Sequence, residues 1–577
     1  MTKINKYIYT LIAVIFFTSC YDLDRFPLDK PSSQTFWQND DQAKMGIMGV
    51  YSQMSATNLF GIIFGTDCLS DVGLGFDNPG YFNVATGVYS DRDGQVQGKW
   101  QSTYQGVMTA NNVIRNVANS DLISDDVKTK VLGEAKFLRA LFYFHLLDYY
   151  GGVPLYDETV ELEKDYNDLL KKRSSVEETR NFILKDLTDA IAGLPVEWDQ
   201  LDYGRATKGA AYALRGKVYL FAKDYPNATK DFEEIVLKSD YGYELYPEYD
   251  QLFLPKELGG ADESKEMIFA IQNIGGIGTN YGMPMTFYMG TRSSFGSSWN
   301  NSMPSTDLMT MYELKDGKPF NWNDFIPGFN ESDDVKKETF VATLGTGDKT
   351  VATYPKYFNE LTSMYNQRDP RMAQTLILPY TNYLGWLRNA PNPCTFVVAT
   401  GVNENNGFIR NNKGWNTYFW RKFVAEANMD GLITDRAHTP INFPLIRYAD
   451  VLLMLAECYN ETDKLDDAVK YINEVRQRPS TNLPALNSGP TWLEARTKDE
   501  VFKRIMQERA VEFAGEGLRF SDIRRWKVAE SLLGGKKELQ ITGALALNRS
   551  FVARDYLWPI PAVEIEINPE LEQNPGW

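Results

Sequence analysis

The sequence is poor in the side chains that metal sites and many hydrolases use. Its 577 residues include two histidines and four cysteines. His145 and His438 lie far apart in the chain, which excludes a His-rich metal site and leaves few candidates for a histidine-based triad. Cys68, Cys394 and Cys458 have no zinc-site spacing, and three thiols allow at most one disulfide. We therefore expect no metal and no cofactor.

Long apolar runs are absent after the first twenty residues. There, Lys3 and Lys6 precede an apolar run over residues 8–17, which as a helix would span roughly 15 Å, half of the hydrocarbon core of a membrane. This pattern predicts a signal peptide over residues 1–19 rather than a membrane anchor. The run ends in FTSC, which looks like a bacterial lipobox, so Cys20 is predicted to be lipidated and to become the N-terminus. The alternative is a plain signal peptide with an incidental cysteine.

Positive charge is also scarce. The net charge is −16, and removal of residues 1–19 makes it −18. Such a chain makes a poor nucleic-acid binder, because phosphate contact needs clustered positive charge. The GTGDKT segment lacks the order of a phosphate loop, and neither a G-x-S-x-G elbow nor an H-E-x-x-H motif occurs. The chain has 76 acidic residues, so the sequence alone does not exclude the pair of catalytic carboxylates that a glycosidase needs.

Helical periodicity dominates both ends of the chain. The length corresponds to three or four domains or to one large composite domain. The predicted helices are Asp40–Met54, Trp100–Asn119 and Val131–Tyr150, with a long structured loop over Asn58–Gly98. Gly259–Asn442 is predicted to be rich in loops, with a strand at Glu266–Asn273 and aromatic loops at Phe295–Ser305 and Tyr380–Pro393. His145 lies in an apolar helical run, which predicts a hydrogen-bonded core histidine.

Two stretches repeat one spacing of small and large residues, at relative positions 0, 3, 12 and 16. The first set is Gly216, Tyr219, Ala228 and Phe232, and the second is Ala456, Tyr459, Ala468 and Ile472. This spacing is typical of a tetratricopeptide helix pair, in which small residues let two antiparallel helices approach closely. The alternative is a generic helical hairpin. Either way, much of the chain is predicted to be paired helices.

The C-terminal region carries a capping box at Thr497–Glu500 and a run of alternating charge. The charged residues are Arg504, Glu508, Arg509, Glu512 and Glu516, at helical spacing. An ion-paired scaffold is the preferred interpretation, ahead of catalysis.

Aromatic residues in polar loops are the remaining chemical signal. The chain has 33 Tyr, 32 Phe and 12 Trp. A flat ring can cover the apolar face of a sugar while neighbouring polar side chains bond its hydroxyls. The ligand-binding candidates are Trp299 with Asn300, then Tyr81, Phe82 and Asp71, then Tyr288, Tyr383 and Trp386. The alternative for each aromatic ring is a buried loop anchor.

Several segments of the chain have a recognisable pattern. They are LDRFPLDKPSSQTFWQNDDQA, WQSTYQGVMTANNVIRNV, EAKFLRALFYFHLLDYYGGVPL, GRATKGAAYALRGKVYL, RDPRM, ERAVEFAGEGLRFSDIRRW and the tail LWPIPAVEIEINPELEQNPGW. Together they resemble the SusD/RagB family of Bacteroidetes outer-membrane lipoproteins. The resemblance covers essentially the whole chain. Two departures are Phe17, where the lipobox usually has Leu, and Trp577, where the family more often has Tyr.

The resemblance implies a mainly α fold of tetratricopeptide-like helix pairs, with an irregular loop-rich region and short β-strands. It divides the chain into the signal peptide 1–19, an N-terminal helical region 20–255 and a C-terminal region 256–577. It also implies a lipid-anchored protein on the outer membrane, exposed at the cell surface. Its partner would be a SusC-type TonB-dependent transporter.

Three functions are compatible with the sequence. The leading hypothesis is a non-catalytic lipoprotein that captures oligo- or polysaccharide and delivers it to the transporter. The second is a peptide-binding member of the same family. The third is a lipid-anchored glycosidase, which would need two convergent carboxylates, one with a raised pKa.

Overall fold

Helices make up most of the regular structure in this computed structural model, which describes residues 36–160, 169–275, 281–410 and 414–577. The predicted signal peptide and Cys20 lie outside these ranges. None of the helices within them has both the length and the apolar character needed to cross a membrane.

The N-terminal helices pack as successive neighbours. They are α1 (Asp40–Gln53), α2 (Phe82–Ala85), α3 (Gly94–Asn119), α4 (Asp125–Tyr150), α5 (Val176–Gly193), α6 (Lys208–Phe221) and α7 (Tyr225–Leu237). Helix α4 packs against α3 and α5, and α6 packs against α7. This arrangement confirms the predicted paired helices in the first half of the chain.

Helices α3 and α4 begin earlier than predicted, because each has a polar first turn that apolar periodicity does not reveal. Asp93 accepts a hydrogen bond from the Gln95 N–H at the start of α3. In α4, Asp125 and Asp126 occupy the first turn, where carboxylates favour the helix dipole. Gly151 terminates helix α4. Its φ angle is 75°, a value that residues with a side chain rarely adopt.

The remaining helices lie between residues 285 and 567. They are α8 (Met285–Met289), α9 (Thr306–Met311), α10 (Asp333–Phe340), α11 (Phe358–Tyr365), α12 (Arg371–Thr375), α13 (Tyr448–Glu461), α14 (Leu465–Arg476), α15 (Lys498–Glu512), α16 (Arg519–Arg525), α17 (Ala529–Leu533) and α18 (Ala562–Ile567). The predicted capping box forms at the start of α15, where the Thr497 side chain accepts from the Glu500 N–H.

The two predicted repeats are antiparallel helix pairs. The first is α6–α7, where a Cβ on Gly216 would lie 2.6 Å from the Phe232 ring, so the close approach requires glycine. The second is α13–α14, in which Ala456, Ala468 and Ile472 are fully buried. The pairs contact each other, and the Tyr459 hydroxyl donates to Glu233 of α7 over 2.6 Å.

Short strands are confined to two-stranded antiparallel sheets. The strands are β1 (Gly73–Gly75), β2 (Met267–Ile271), β3 (Ser302–Pro304), β4 (Thr343–Leu344), β5 (Val351–Thr353), β6 (Leu376–Ile377), β7 (Asn382–Leu387), β8 (Ala390–Thr395), β9 (Phe419–Trp420), β10 (Phe443–Arg447), β11 (Lys537–Leu539) and β12 (Leu545–Asn548). The pairs are β1–β3, β2–β10, β4–β5, β6–β9, β7–β8 and β11–β12. The predicted strand at 266–273 is β2. Pairing of β1 with β3 joins the two loop regions that carry candidate ligand residues.

The predicted aromatic loop at Tyr380–Pro393 is instead a β-hairpin, β7–β8. Its two-residue turn, Arg388 and Asn389, has φ values of 54° and 58°, as a type I′ turn requires. Pro391 and Pro393 suggested a loop, but β8 has a single neighbouring strand, and proline is tolerated on such an edge.

One hydrophobic cluster runs through the molecule from Trp37 to Leu571. It includes buried residues on both sides of the division predicted between residues 255 and 256, and that division stays a sequence-based prediction. Cys68, Cys394 and Cys458 are all buried free thiols. Cys458 lies in this cluster as a small core residue.

His145 contacts aromatic side chains in the interior, and its ring lies 4.6 Å from that of Phe60. The prediction that it is hydrogen-bonded is wrong for Nδ1, which has no partner in the described part of the chain. Burial, and next the charge of Lys99, lower the pKa of His145 well below its usual value. The ring is therefore a neutral packing group.

Beneath the loops lies a buried network of charges centred on α15. Glu512 accepts from Arg371 and Arg478, each over 2.8 Å, and from Arg447 over 3.2 Å. Burial raises the pKa of Glu512, but the three guanidinium groups outweigh burial and lower that pKa far below its usual range. The alternating charge predicted as an ion-paired scaffold is confirmed.

We expect the substitution Arg447→Met to lower the free energy of unfolding by about 3–5 kcal/mol, since it leaves buried carboxylates without their cation. Arg447 contacts Glu266, Glu512 and Glu516, all of which are buried. The measurement is the denaturation midpoint of the variant against the parent chain.

The control for this substitution is Arg92→Met. Arg92 and Glu566 form an ion pair with side chains 68% and 59% exposed, so solvent screens the pair and its loss should shift the midpoint far less. Equal shifts in the two variants would contradict the role given to the buried network.

Asp71 is a scaffold residue, although the sequence suggested it as a ligand contact. It is buried, and both of its carboxylate oxygens accept from the Arg519 guanidinium over 2.8 Å. Burial raises the pKa of Asp71, but Arg519 outweighs burial and holds that pKa below its usual value. The ion pair fastens the first loop region to α16.

We expect Asp71→Asn to destabilise the fold most at neutral pH. Because the folded-state pKa is lowered, the stabilisation by Asp71 is present above the unfolded pKa of about 3.9 and is lost as pH falls through the folded value. Denaturation midpoints at pH 7 and pH 3 should show the gap to the parent chain shrinking in acid. Asp463→Asn, at an 82% exposed side chain, is the control. A gap that widens in acid would contradict this assignment.

Candidate functional site

The candidate site is built around residues 290–301, called here the central loop, which connects α8 to β3. Main-chain bonds fix its ends: the Asn300 N–H donates to the Gly290 carbonyl over 2.7 Å, and the Trp299 N–H donates to the Phe287 carbonyl over 2.8 Å. In its middle, the carbonyls of Gly296 and Ser297 each accept from Arg436 Nη1 over 2.5 Å. The loop therefore has a defined path.

The β7–β8 hairpin packs against the central loop. The Trp386 N–H donates to the Ser293 carbonyl over 2.9 Å. A Cβ on Gly385 would lie 2.5 Å from the same carbonyl oxygen, so the hairpin approaches this closely only because residue 385 is glycine. On the buried side of β7, the Tyr383 hydroxyl lies 3.1 Å from Ser294 Oγ and donates to the Ala425 carbonyl over 2.7 Å.

Five aromatic rings lie on α8, the central loop and the hairpin, and together we call them the aromatic loop face. They are Phe287, Tyr288, Phe295, Trp299 and Trp386. The Phe287 ring centroid lies 4.6 Å from those of both Tyr288 and Trp299. Phe295 and Trp386 form a second pair with centroids 5.7 Å apart. All five side chains are partly exposed, and Trp299 is 38% exposed.

The structure thus brings three of the predicted ligand residues, Tyr288, Trp299 and Trp386, to one loop assembly. Their contact with a ligand stays a prediction. Phe82 is exposed at the first turn of α2, in the loop region that follows β1, and also stays a prediction.

The other predicted ligand residues are buried, which corrects their assignment. Tyr81 lies in the core with its ring 6.2 Å from that of Trp558. Tyr383 is an internal anchor through its hydroxyl bonds. Asn300 is buried and its amide lies 3.3 Å from the Met303 sulfur. With Asp71 paired to Arg519, all four support the loops from beneath, and none has a surface to offer a ligand.

The sequence analysis did not identify Phe287 or Arg436 as candidates. It named Phe295 as the first residue of an aromatic loop but not as a candidate. The Arg436 guanidinium lies over the Phe287 ring at 4.3 Å and near Trp299 at 5.6 Å. The sequence gave a weak indication for Phe287, because that residue directly precedes the candidate Tyr288. Nothing local marked Arg436, because its partners lie about 140 residues earlier in the chain.

An ion pair lies next to the central loop, since the Arg292 N–H donates to the Arg410 carbonyl over 3.0 Å. Arg410 forms a bidentate pair with Glu404, with bonds of 2.6 and 2.8 Å. Burial raises the pKa of Glu404, but Arg410 outweighs burial and holds that pKa below its usual value. Glu404 is therefore ionised at neutral pH and is not suited to donate a proton. Within the described residues, no three acidic, histidine or cysteine side chains are placed to hold a metal ion.

Known proteins share both the sequence pattern and the fold. The sequence model of the SusD family matches residues 265–577, and one described as "Starch-binding associating with outer membrane" matches residues 52–220. SusD-like protein P2 of Formosa agariphila is 25% identical over 99% of this chain and all of its own length. The starch-binding protein SusD of Bacteroides thetaiotaomicron is 24% identical over 77% of this chain and 72% of its own.

Solved structures agree with this sequence relationship. A SusD-like protein from Bacteroides fragilis superposes with a TM-score of 0.74 at 25% identity, covering 96% of this chain and all of that one. A laminarin-binding SusD-like protein superposes with a TM-score of 0.59 at 21% identity, covering 94% of this chain and all of that one. With a family match over more than half of its length and this fold, the chain belongs to the SusD family.

Proposed function

We propose that this protein is a non-catalytic carbohydrate-binding lipoprotein of the cell surface, which captures oligo- or polysaccharide and delivers it to a SusC-type TonB-dependent transporter. The observation that carries the proposal is the aromatic loop face, with five partly exposed rings on α8, the central loop and the β7–β8 hairpin, which main-chain bonds join to one another. Starch and laminarin are the ligands named for two of its relatives, which supports a glycan as the ligand class.

The expected binding free energy is compatible with capture of a glycan followed by its release. Covering about 50 Å² of each ring at ~25 cal/mol/Å² contributes about 1.2 kcal/mol. Three rings would give about 3.6 kcal/mol before hydrogen bonds and the cost of association, which corresponds to roughly millimolar affinity. A ligand bound this weakly exchanges quickly, as transfer to a transporter requires.

The carboxylate chemistry of the face favours binding over hydrolysis. A glycosidase needs a carboxylic acid with a raised pKa beside the scissile bond. Glu404 has a lowered pKa instead. Carboxyls with raised values of about 7 and 6, Asp67 and Asp262, are buried in the scaffold.

The peptide-binding alternative is less well supported by the geometry. Rings arranged along an open surface suit the flat faces of sugars, whereas peptide termini and amides call for a closed polar cavity. The face is formed by rings with exposed area, so a glycan is the ligand that we propose.

Lipidation of Cys20 would tether the folded chain to the outer membrane. The family description associates these proteins with that membrane, and the described helices include no membrane span. Since one acyl chain gives marginal anchoring, more than one chain on the modified N-terminal cysteine would be needed for stable attachment.

We expect Trp299→Ala to weaken glycan binding by roughly eightfold, the equivalent of about 1.2 kcal/mol for one stacked ring. The measurement is affinity gel electrophoresis of residues 21–577 through a panel of polysaccharides, a method that tolerates millimolar affinity. A polysaccharide that retards the parent chain should retard the variant much less.

The matched control is Trp492→Ala. Trp492 is 39% exposed, close to the value for Trp299, but it lies on the turn Thr491–Leu493 and its indole N–H donates to the Asp316 carbonyl. Retardation that survives both substitutions would keep glycan binding and reject this site. No retardation across the panel would reject glycan binding by this chain and favour the peptide alternative.

We expect Cys20→Ala to move the protein from the membrane fraction to the soluble fraction of the cell envelope, because we propose that the acylated cysteine attaches the protein to lipid. Fractionation and metabolic labelling with a fatty acid give the measurement. Cys394→Ala, at a buried thiol, is the control and should keep both label and location. A Cys20→Ala protein that stays labelled in the membrane would contradict the lipobox assignment.

A further inference from the structure

A cavity of about 300 Å³, called here the β2 cavity, lies against strand β2. Residues 194–207, called here the connecting loop, join α5 to α6 and form a second wall, and the turn after α7 forms a third. The aromatic side chains that the loop and the turn contribute are Trp198, Tyr203, Tyr241 and Tyr243. None of the five rings of the aromatic loop face lines this cavity. Ligand pockets span roughly 300–1,000 Å³, so a cavity at the small end of that range suits one or two sugar-sized rings rather than a polymer.

The connecting loop is fastened to the helices beneath it. The Arg205 guanidinium reaches α4, where Glu134 accepts from Nε over 2.8 Å and from Nη2 over 2.6 Å. The same guanidinium lies 4.0 Å from the centroid of the Trp198 ring. The Trp198 indole N–H donates to the Ala206 carbonyl over 2.8 Å. The aromatic wall is therefore positioned by the protein itself and does not require a ligand to form.

The charged side chains that line the β2 cavity are paired with opposite charges. Three ion pairs include all four of these side chains: Lys265–Glu197 at 2.5 Å, Arg205–Glu134 at 2.6 Å and Glu263–Lys256 at 2.5 Å. A charged ligand, such as a peptide terminus, would find its counterion already occupied. The lining therefore favours a neutral ligand.

Two polar groups of the wall are available to such a ligand. The Tyr203 hydroxyl has no hydrogen-bond partner among the described residues. Burial, and next the charge of Glu263, raise the pKa of Tyr203, so its hydroxyl keeps its proton and can donate. The Gln272 amide nitrogen donates to the Ala270 carbonyl over 3.0 Å, which leaves the amide oxygen as an acceptor. A purely apolar ligand would leave both groups unpaired, at a cost in affinity.

We propose that the β2 cavity is a second binding site, which takes a neutral saccharide of one or two rings. A sugar presents an apolar C–H face to an aromatic side chain such as Trp198, and its hydroxyls pair with a donor at Tyr203 and an acceptor at Gln272. The choice of a sugar rests on the proposed carbohydrate-binding function, whereas the site shares no residue with the aromatic loop face.

The test measures binding of short neutral saccharides to residues 21–577. The probes are glucose, galactose, mannose, xylose, maltose, cellobiose, laminaribiose and lactose, and saturation-transfer difference NMR detects binding at millimolar affinity. We expect at least one of them to bind. Tyr203→Phe keeps the ring and removes only the hydroxyl, so it should weaken that saccharide about threefold to tenfold. Trp198→Ala should weaken it roughly eightfold, as expected for one stacked ring.

Two control variants separate this cavity from other surfaces. Tyr354→Phe removes a hydroxyl from a 51% exposed tyrosine outside the cavity and should leave saccharide binding unchanged. Trp299→Ala should also leave it unchanged, because Trp299 belongs to the aromatic loop face. In return, Tyr203→Phe should not alter the retardation of the chain by a polysaccharide that depends on Trp299.

Three results would overturn the inference. Saccharide binding that survives both Tyr203→Phe and Trp198→Ala would reject the cavity as the site, and binding that is lost in Trp299→Ala alone would assign the saccharide to the aromatic loop face. Absence of binding by every saccharide in the panel would reject the second site. In each case, polysaccharide retardation that depends on Trp299 would leave the proposed function standing.

Discussion

The buried carboxylate of Glu512 ties together parts of the chain that are distant in sequence. It bonds Arg371 at the start of α12, Arg447 at the end of β10 and Arg478 just after α14. A charge removed from water in this way is stable only when its hydrogen bonds are complete, so the positions of these elements are interdependent. The helix pairs, the β2–β10 sheet and the base of the loop region are joined at this network.

That network explains why the most recognisable sequence motifs reveal little about the ligand. ERAVEFAGEGLRFSDIRRW supplies Glu508, Glu512 and Glu516 to the buried charges, and RDPRM supplies Arg371. Their spacing is fixed by mutual contacts inside the protein. The ligand contacts that we propose lie instead on loop side chains outside this network, where the family resemblance carries no residue assignments.

The helices could be predicted from the sequence because the patterns that specify them are local. Capping at Thr497, the small residues of the two helix pairs and the apolar run in α4 each act within about twenty residues. The candidate site was harder to predict because its geometry depends on contacts between residues that are distant in the sequence. The sequence predicts loop positions for Tyr383 and Asp71. In the structure both side chains are buried, because the Tyr383 hydroxyl bonds the Ala425 carbonyl and Asp71 pairs with Arg519. Arg436 reaches the central loop from about 140 residues away, and no local pattern announces such a contact.

The central loop is held by its own carbonyl and amide groups, at Ser293, Gly296, Ser297 and Trp299, through partners that lie outside it or at its ends. The path of the backbone consequently does not depend on which ring occupies position 295 or 299. Side chains there can be exchanged in evolution or by engineering while the loop keeps its course. A scaffold of this kind separates the inheritance of the backbone path from the choice of the side chains that it displays.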